Sequence, residues 1–265
     1  MMPTLAAMLL AIDVGNTNIV VGVFDGDELV ADFRIHTDDR FTGDELGLVL
    51  VDLLGQRNLA PAQVSAVVVS SVVPTLARSI DELSHTYFNQ PPMVVGPGTR
   101  TGIRIQYDDP RRVGADRIAN AIAAHHLYQG PAILVDFGTA TTFDAIDANG
   151  DYLGGAIAPG IQLSHDALVN HAAMLIRVEL TAPVEAIGHS TTGSMQSGIV
   201  FGYLSLCEGL ATRMIAELME NGGPRPKVIA TGGLAPLLAK ESRLIEAVDE
   251  LLTLDGLRLI HQRNL

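Results

Sequence analysis

The chain is 265 residues long with 48% hydrophobic and 18% charged side chains, typical of a soluble globular protein of one large domain or two modest ones. Seventeen basic against 30 acidic side chains give a formal net charge of −13. Nucleic-acid-binding proteins need clustered Lys and Arg, and this chain has only two lysines, so the composition argues against a nucleic-acid partner. The single cysteine, Cys207, excludes an internal disulfide and a cysteine-based zinc site.

The same features predict a compartment. No uninterrupted apolar run approaches the roughly 18 residues that a membrane span needs, and the first residues lack the basic segment of a signal peptide. Together with the single cysteine, this predicts a cytoplasmic protein without a membrane partner. The first seven residues have no predicted role, and Met8 sits just before a strong strand pattern.

Short β-branched runs alternate with helical patterns along the chain, which predicts an α/β fold. The predicted strands cover residues 9–15, 18–24, 28–35, 65–73, 93–98, 132–138, 141–147, 152–159 and 227–233. The predicted helices cover residues 42–55, 75–87, 114–128, 162–174, 195–219 and 234–252. The first of these helices opens with a capping-box spacing, Thr42 followed three residues later by Glu45.

One segment of the chain is repeated. The residues from Ala11 onward line up with those from Leu134 onward when one residue is inserted before the second turn. The matched pairs are Asp13 with Asp136, Gly15 with Gly138, Gly26 with Gly150, Asp27 with Asp151, and Leu29 with Leu153. Each copy reads strand, polar turn, strand, turn, strand, so the sequence predicts a duplicated β-hairpin unit heading two domains.

The first turn of each copy has residue types suited to an anion. A strand ending in Asp, followed by Gly and small hydroxyl or amide residues, leaves backbone N–H groups around a concavity. Because carboxylates repel phosphate, Asp13 and Asp136 are candidate ligands of a cation that bridges to it. The alternative is that each Asp caps its own turn. P-loop and Rossmann fingerprints are absent from the sequence, so backbone, hydroxyls and metal would have to meet the phosphates.

Five motifs carry a resemblance to a known family. They are "DVGNTN" at 13–18, "GADR" at 114–117, "DFGTATT" at 136–142, "GGAIAPG" at 154–160 and "SMQSG" at 194–198. In this order they resemble a type III pantothenate kinase, of the sugar kinase, heat-shock chaperone and actin superfamily. The resemblance implies two duplicated actin-like (ribonuclease H-like) domains, 1–126 and 127–265, with mixed sheets flanked by helices and the active site in the interdomain cleft. The implied reaction transfers the ATP γ-phosphate to pantothenate, the first step of coenzyme A synthesis, with Mg²⁺ and a monovalent cation, K⁺ or NH₄⁺.

The resemblance also assigns nucleotide and cation contacts. The first phosphate loop falls on Asp13, Val14, Gly15, Asn16, Thr17, Asn18, Ile19 and Val20. In the second loop, Asp136 is the ligand of the monovalent cation and Thr139 is an ATP contact. Gly232 and Gly233, in "ATGGLAP", are similar to the adenosine-binding turn of the superfamily, although a Gly-Gly turn before a helix is ordinarily only a turn.

The substrate contacts are carried over in the same way. The resemblance makes Asp116 the acceptor of the proton from the pantothenate hydroxyl, which it would orient toward the γ-phosphate. The alternative is an Asp that only complements the dipole of a helix N-terminus. The other implied contacts are Tyr107, Gly114, Ala115, Arg117 and Thr191, with Thr192 replacing Thr191 if the alignment shifts by one residue. The resemblance further implies a homodimer with the substrate near its interface.

Two other functions stay open. One is a non-catalytic relative that acts as an accessory activator of transcription, against which the intact Asp13, Asp116, Asp136 and Thr139 argue. The other is a different small-molecule kinase or a phosphohydrolase of the same superfamily, against which the "GADR" and "SMQSG" segments argue.

Overall fold

The computed structural model describes residues 7–220 and 222–265. Residues 1–6, most of the N-terminal segment without a predicted role, lie outside the described residues. The described residues divide into two compact units. The first comprises residues 7–102, 108–123 and 252–265, and the second comprises 103–107 and 124–251 apart from residue 221.

Each unit is built on a five-stranded sheet. The strands are β1 (Met8–Val14), β2 (Asn18–Asp25), β3 (Glu28–His36), β4 (Val64–Ser71), β5 (Pro92–Val94), β6 (Ala132–Phe137), β7 (Ala140–Ile146), β8 (Tyr152–Pro159), β9 (Lys227–Thr231) and β10 (Ala247–Val248). The sheet order is β3-β2-β1-β4-β5 in the first unit and β8-β7-β6-β9-β10 in the second. In both sheets the first three strands pair antiparallel and the last two run parallel to the central one.

Helices flank both sheets, which confirms the predicted α/β class with mixed sheets. They are α1 (Gly43–Gln56), α2 (Ala77–Phe88), α3 (Ala115–Tyr128), α4 (Ile161–His171), α5 (Thr191–Gln196), α6 (Gly202–Met219), α7 (Ala235–Ala239) and α8 (Leu252–Arg263). The predicted capping box starts α1: the Thr42 hydroxyl accepts from the Glu45 N–H at 3.2 Å, and the Glu45 carboxylate accepts from the Thr42 N–H at 3.0 Å.

The duplicated hairpin is confirmed, and two of the matched pairs show it directly. Asp13 and Asp136 are each the next-to-last residue of the central strand of their sheet. Gly26 and Gly150, matched in the sequence, both occupy the left-handed region, with φ of 61° and 84°. Since that conformation favours glycine, the same turn geometry explains the same residue in both copies.

The core of the first unit lies on both faces of its sheet. Leu10, Ile12 and Val14 alternate along β1 and pack into the cluster formed with α1 and α2. Helix α8 lies against β1 and β4. Gly256 lets α8 approach the backbone of α3 closely, because a Cβ there would overlap Ala119. The C-terminal helix therefore belongs to the first unit.

The helix predicted over 234–252 is wrong after its first residues, since α7 ends at Ala239. Two tertiary contacts override its helical pattern. The Glu208 carboxylate of α6 accepts a hydrogen bond from the Arg243 N–H at 2.7 Å, and the following residues pair with β9 as the short parallel strand β10. Helix α8, which starts where the predicted helix was to end, was not predicted.

The helix predicted from residue 195 begins four residues earlier. Ser190 caps it by accepting a hydrogen bond from the Gly193 N–H at 3.1 Å, and a π-helical turn, Ser197–Phe201, joins α5 to α6. Within the described residues, the continuous stretch Thr191–Met219 is long and apolar enough to cross a membrane by length and composition, a test that core helices of soluble proteins also pass.

Candidate active site

The first loop joins β1 to β2. The N–H of Gly15 donates to the carbonyl oxygen of Asn18 at 3.0 Å, which closes a tight turn. A Cβ on residue 15 would lie only 3.0 Å from that oxygen, so glycine suits the close approach. Asn16 and Thr17 at the tip are exposed, whereas most of the flanking strand residues are buried. The loop is thus a solvent-facing tip on a well-packed hairpin, the setting in which backbone N–H groups bind anions.

An open depression borders this loop, lined in part by Asn16, Thr37, Asp38 and Arg40. Arg40 Nη2 lies 2.8 Å from Asp38 Oδ2. Hydrogen bonds from the side chain and then the backbone of Arg40 lower the pKa of Asp38 to about 2. Since the two opposite charges are paired with each other, they add little net positive charge beside the loop.

The second loop joins β6 to β7, and the structure brings two predicted site residues together there. Asp136 is half-buried at the end of β6, and Gly232 follows β9, the parallel neighbour of β6. A Cβ on residue 232 would lie 2.6 Å from Asp136 Oδ1 and 2.8 Å from the carbonyl oxygen of Phe137. The φ of Gly232 is 88°, in the region that favours glycine. Both features explain why glycine occupies this turn.

Gly160 holds the tip of the same loop. Its N–H donates to the carbonyl oxygen of Thr139 at 3.1 Å. A Cβ on residue 160 would overlap that oxygen and lie 2.7 Å from the carbonyl oxygen of Gly138. The chain leaving β8 therefore packs backbone against backbone on the loop, while Thr139 itself stays exposed.

Asp116 lies in the first turn of α3, where a carboxylate complements the helix dipole. Its Oδ1 accepts a hydrogen bond from the Arg117 N–H at 2.9 Å. Gly114 makes this position possible, because a Cβ there would overlap Oδ1. The side chain of Asp116 is half-buried, whereas Arg117 is only 8% exposed. The start of the helix therefore fixes the direction of the carboxylate.

The family model for type III pantothenate kinase matches residues 9–213, a span that contains both loops and Asp116. Relatives named type III pantothenate kinase extend the match over nearly the whole chain. The protein of Geotalea daltonii is 51% identical and that of Myxococcus xanthus 52%, each over 97% of this chain and 99% of the relative. The chain belongs to the type III pantothenate kinase family.

Solved structures with lower identity share the fold of this pantothenate kinase family member. One from Campylobacter jejuni, described as a Baf family transcriptional activator, has a TM-score of 0.60 at 21% identity, covering 96% of this chain and 98% of that one. One from Sinorhizobium meliloti, described as a 2-dehydro-3-deoxygalactonokinase, has a TM-score of 0.58 at 14% identity, covering 96% of both chains. These likenesses confirm the predicted duplicated, actin-like fold.

Two predicted substrate contacts of the pantothenate kinase lie in the second unit. Tyr107 is 40% exposed, and its ring centroid lies 6.4 Å from that of the buried Tyr152. Thr191 is the first residue of α5, and both it and Thr192 are exposed. The structure therefore offers either threonine to a ligand, whereas Asp116, Gly114 and Ala115 belong to the first unit.

Cation binding was predicted at Asp136 and Asp13. Among the described residues, no group of three or more His, Cys, Asp or Glu side chains is placed to hold a metal ion. A cation at Asp136 would complete its shell with carbonyl, hydroxyl, water or phosphate oxygens. The carboxylate of Asp136, close to the same glycine turn as the Phe137 carbonyl, fits the oxygen ligands that Mg²⁺ and K⁺ prefer.

Sequence reasoning for this kinase gave no role to two residues that hold the loops, Thr37 and Gly160. The Thr37 hydroxyl donates a hydrogen bond to the Gly15 carbonyl of the first loop, and the Gly160 N–H donates one to the Thr139 carbonyl of the second. Both residues follow the third strand of the repeat, since β3 ends at His36 and β8 at Pro159. Extending the repeat alignment pairs Thr37 with Ile161 and not with Gly160, so the correspondence becomes visible only where the third strands end in the structure.

Proposed function

We propose that this protein transfers the γ-phosphate of ATP to the primary hydroxyl of pantothenate, giving 4′-phosphopantothenate at the start of coenzyme A synthesis. The observation that carries the proposal is the nearly full-length match to proteins named type III pantothenate kinase at 51 and 52% identity. Two loops at equivalent strand ends support it, because phosphoryl transfer depends chiefly on positioning and charge stabilisation.

In this proposal the two loops receive the phosphates of ATP. The first loop, Asp13 to Val20, offers backbone N–H groups and the hydroxyl and amide side chains of its tip. Thr139 offers a hydroxyl from the second loop, and the turn at Gly232 and Gly233 receives the adenosine. Backbone donors suit this chain because its net charge is −13 and the arginine beside the first loop is paired with Asp38.

Cations complete the phosphate site. Asp136 would hold a monovalent cation, K⁺ or NH₄⁺, and Asp13 would be a ligand of Mg²⁺. When bound, these cations offset the negative charge of the phosphates beside the two carboxylates. The carboxylates therefore help ATP binding only in the presence of cations.

Asp116 accepts the proton of the substrate. The pantothenate hydroxyl oxygen forms a bond to the γ-phosphorus, the bond from γ-phosphorus to the bridging oxygen of ADP breaks, and the hydroxyl proton passes to the Asp116 carboxylate. The hydrogen bond from the Arg117 N–H at the start of α3 supports this role, because it sets the direction of the Asp116 carboxylate before substrate binds. The other proposed pantothenate contacts are Tyr107, Gly114, Ala115, Arg117 and Thr191.

The working form proposed is a cytoplasmic homodimer with pantothenate near the interface. Exposed apolar side chains are concentrated between residues 157 and 187, including Ile157, Leu163, Met174 and Ile176, which are 51 to 91% exposed. A second copy of the chain would remove this apolar surface from water.

The test is ADP formation by the purified protein with Mg²⁺ and K⁺ or NH₄⁺. We expect pantothenate-dependent turnover, and we expect Asp116→Asn to lower kcat by about 100-fold or more while binding of a non-hydrolysable ATP analogue is retained. Asp32→Asn, an exposed position on β3, is the matched control and should keep wild-type kcat. Wild-type turnover by Asp116→Asn would show that Asp116 is not the base.

A panel of acceptors separates the remaining alternatives. ADP formation with another small hydroxyl compound, and none with pantothenate, would reassign the substrate. Retention on DNA at physiological salt, without ATP turnover, would instead identify the protein as a non-catalytic regulator. With −13 net charge, we expect no DNA retention.

A further inference from the structure

Thr37, the residue after β3, is bonded to the first loop at two points. Its hydroxyl donates to the carbonyl oxygen of Gly15 at 2.7 Å. Its N–H donates to the carbonyl oxygen of Thr17 at 2.9 Å. One residue therefore holds both sides of the exposed tip, and it does so from a segment 20 or more positions along the chain.

The two bonds use only carbonyl oxygens of the loop. They fix the direction of the Gly15–Asn16 and Thr17–Asn18 peptide planes without occupying any N–H group of the loop. Asn16 and Thr17 are exposed, so packing against the core does not fix the tip. An anion site made of backbone N–H groups depends on the orientation of those groups, because such donors act strongly only when they are already aligned.

The second unit has an equivalent contact made by different chemistry. There the residue after the third strand is Gly160, whose N–H donates to the carbonyl oxygen of Thr139 at 3.1 Å. A threonine side chain in one copy and a bare glycine in the other both tie a carbonyl of the loop to the end of the third strand. The contact comes from the residue after the third strand in both copies, although the bonded carbonyl differs: Gly15 and Thr17 in the first loop, and Thr139, the match of Asn16, in the second.

We propose that Thr37 is a positioning residue for nucleotide binding: its hydroxyl and N–H orient the first loop so that the N–H groups of the loop face the phosphates. The inference rests on the proposed role of that loop in ATP binding, but it can be tested without catalysis. In this proposal Thr37 contacts the loop and does not contact the nucleotide.

The test compares Thr37→Val, which keeps the shape and the backbone N–H but removes the hydroxyl, with Thr37→Ser, which restores it. We expect Thr37→Val to weaken equilibrium binding of a non-hydrolysable ATP analogue by about 5- to 10-fold, the size of one hydrogen bond. KM for ATP should rise by a similar factor while KM for pantothenate stays unchanged. Thr37→Ser should return to within about twofold of wild type. Thr86→Val, an exposed threonine on α2, is the matched control.

The outcomes separate this inference from the proposed function. Analogue binding by Thr37→Val within about twofold of wild type would overturn it, as would wild-type protein that binds no nucleotide. The inference would also be overturned if weaker analogue binding by Thr37→Val is accompanied by a lower melting temperature and is not restored by Thr37→Ser. The role of Thr37 would then be structural. Selective loss of nucleotide binding in a protein that does not phosphorylate pantothenate would support the inference and refute the function.

Discussion

Gly232 lies against the carboxylate of Asp136 so closely that a Cβ on residue 232 would lie 2.6 Å from Oδ1. The contact joins two segments of the second unit that are far apart in the sequence. It ties the glycine turn after β9 to the proposed cation ligand at the end of β6, so a change in the turn has to move the carboxylate.

Gly232→Ala should therefore lower kcat/KM for ATP by about 10- to 100-fold and raise the K⁺ concentration needed for half-maximal activity. The alanine is strained at a φ of 88°, and its methyl group displaces Asp136. Steady-state kinetics over a K⁺ series measure both effects. Gly55→Ala in α1, where a Cβ meets nothing within 4 Å, should leave the kinetics unchanged and raise stability by about 0.5–1 kcal/mol. If Gly232→Ala needs the same K⁺ concentration as wild type for half-maximal activity, the turn at Gly232 does not affect the proposed cation site.

Arg258 anchors the C-terminal helix to the first hairpin. Its side chain is 6% exposed, hydrogen bonds Asp255 and Asp27, and lies 5.6 Å from the ring centroid of Phe24. Arg258→Ala should lower the free energy of unfolding by about 2–3 kcal/mol, less than for a fully buried pair because the Asp27 carboxylate reaches water. Denaturant titration measures the loss, and Arg34→Ala, exposed on β3, should stay within about 0.5 kcal/mol of wild type. Superimposable curves for Arg258→Ala and wild type would disprove the anchoring role.

The thiol of Cys207 should be inert until the protein unfolds. Burial, reinforced by the neighbouring Glu208, raises the pKa of Cys207 to about 12, so the thiolate is absent at pH 8. An aromatic disulfide reagent should label native protein at pH 8 at least about 100-fold more slowly than protein in guanidinium chloride. Rapid labelling of the native protein would contradict the buried, protonated thiol.

The same shift makes stability depend on pH. Because the folded pKa is raised, the contribution of Cys207 is fully present below the unfolded pKa of about 8.5 and is lost as the pH rises toward 12. Between pH 9 and 10, the free energy of unfolding should fall less steeply in Cys207→Ala than in wild type, by at most about 1.4 kcal/mol per pH unit. Parallel curves for the two proteins would show that the thiol does not titrate on unfolding.

The proposed homodimer is tested with two exposed leucines on helices. Leu163 on α4 is 51% exposed and lies in the apolar segment between 157 and 187, whereas Leu48 on α1 is 61% exposed in the first unit. Leu163→Glu should raise the dimer dissociation constant by about tenfold or more, because a charge would be buried against the partner. Leu48→Glu should leave it unchanged. Sedimentation equilibrium measures both, and equal behaviour of the two variants would refute an interface at α4.

The sequence by itself determined strands β1 to β9, the duplication and the position of the two loops. These follow from local physics: β-branched runs favour strands, Asp-x-Gly ends a strand in a turn, and the capping box of Thr42 and Glu45 starts α1 without help from distant residues. The matched glycines at 26 and 150 share a left-handed backbone for the same local reason. Motif order was also enough to indicate the family.

Tertiary contacts decided the rest. Residues 247–248 join a sheet because β9 offers an open edge, although their neighbours have a helical pattern, and Glu208 of α6 bonds the Arg243 N–H in the segment between α7 and β10. The contacts of Thr37 with the first loop and of Gly160 with the second loop depend on where β3 and β8 end relative to those loops. No local sequence pattern predicts where these residues meet the loops, because strand pairing between segments that are separate in the sequence sets their positions.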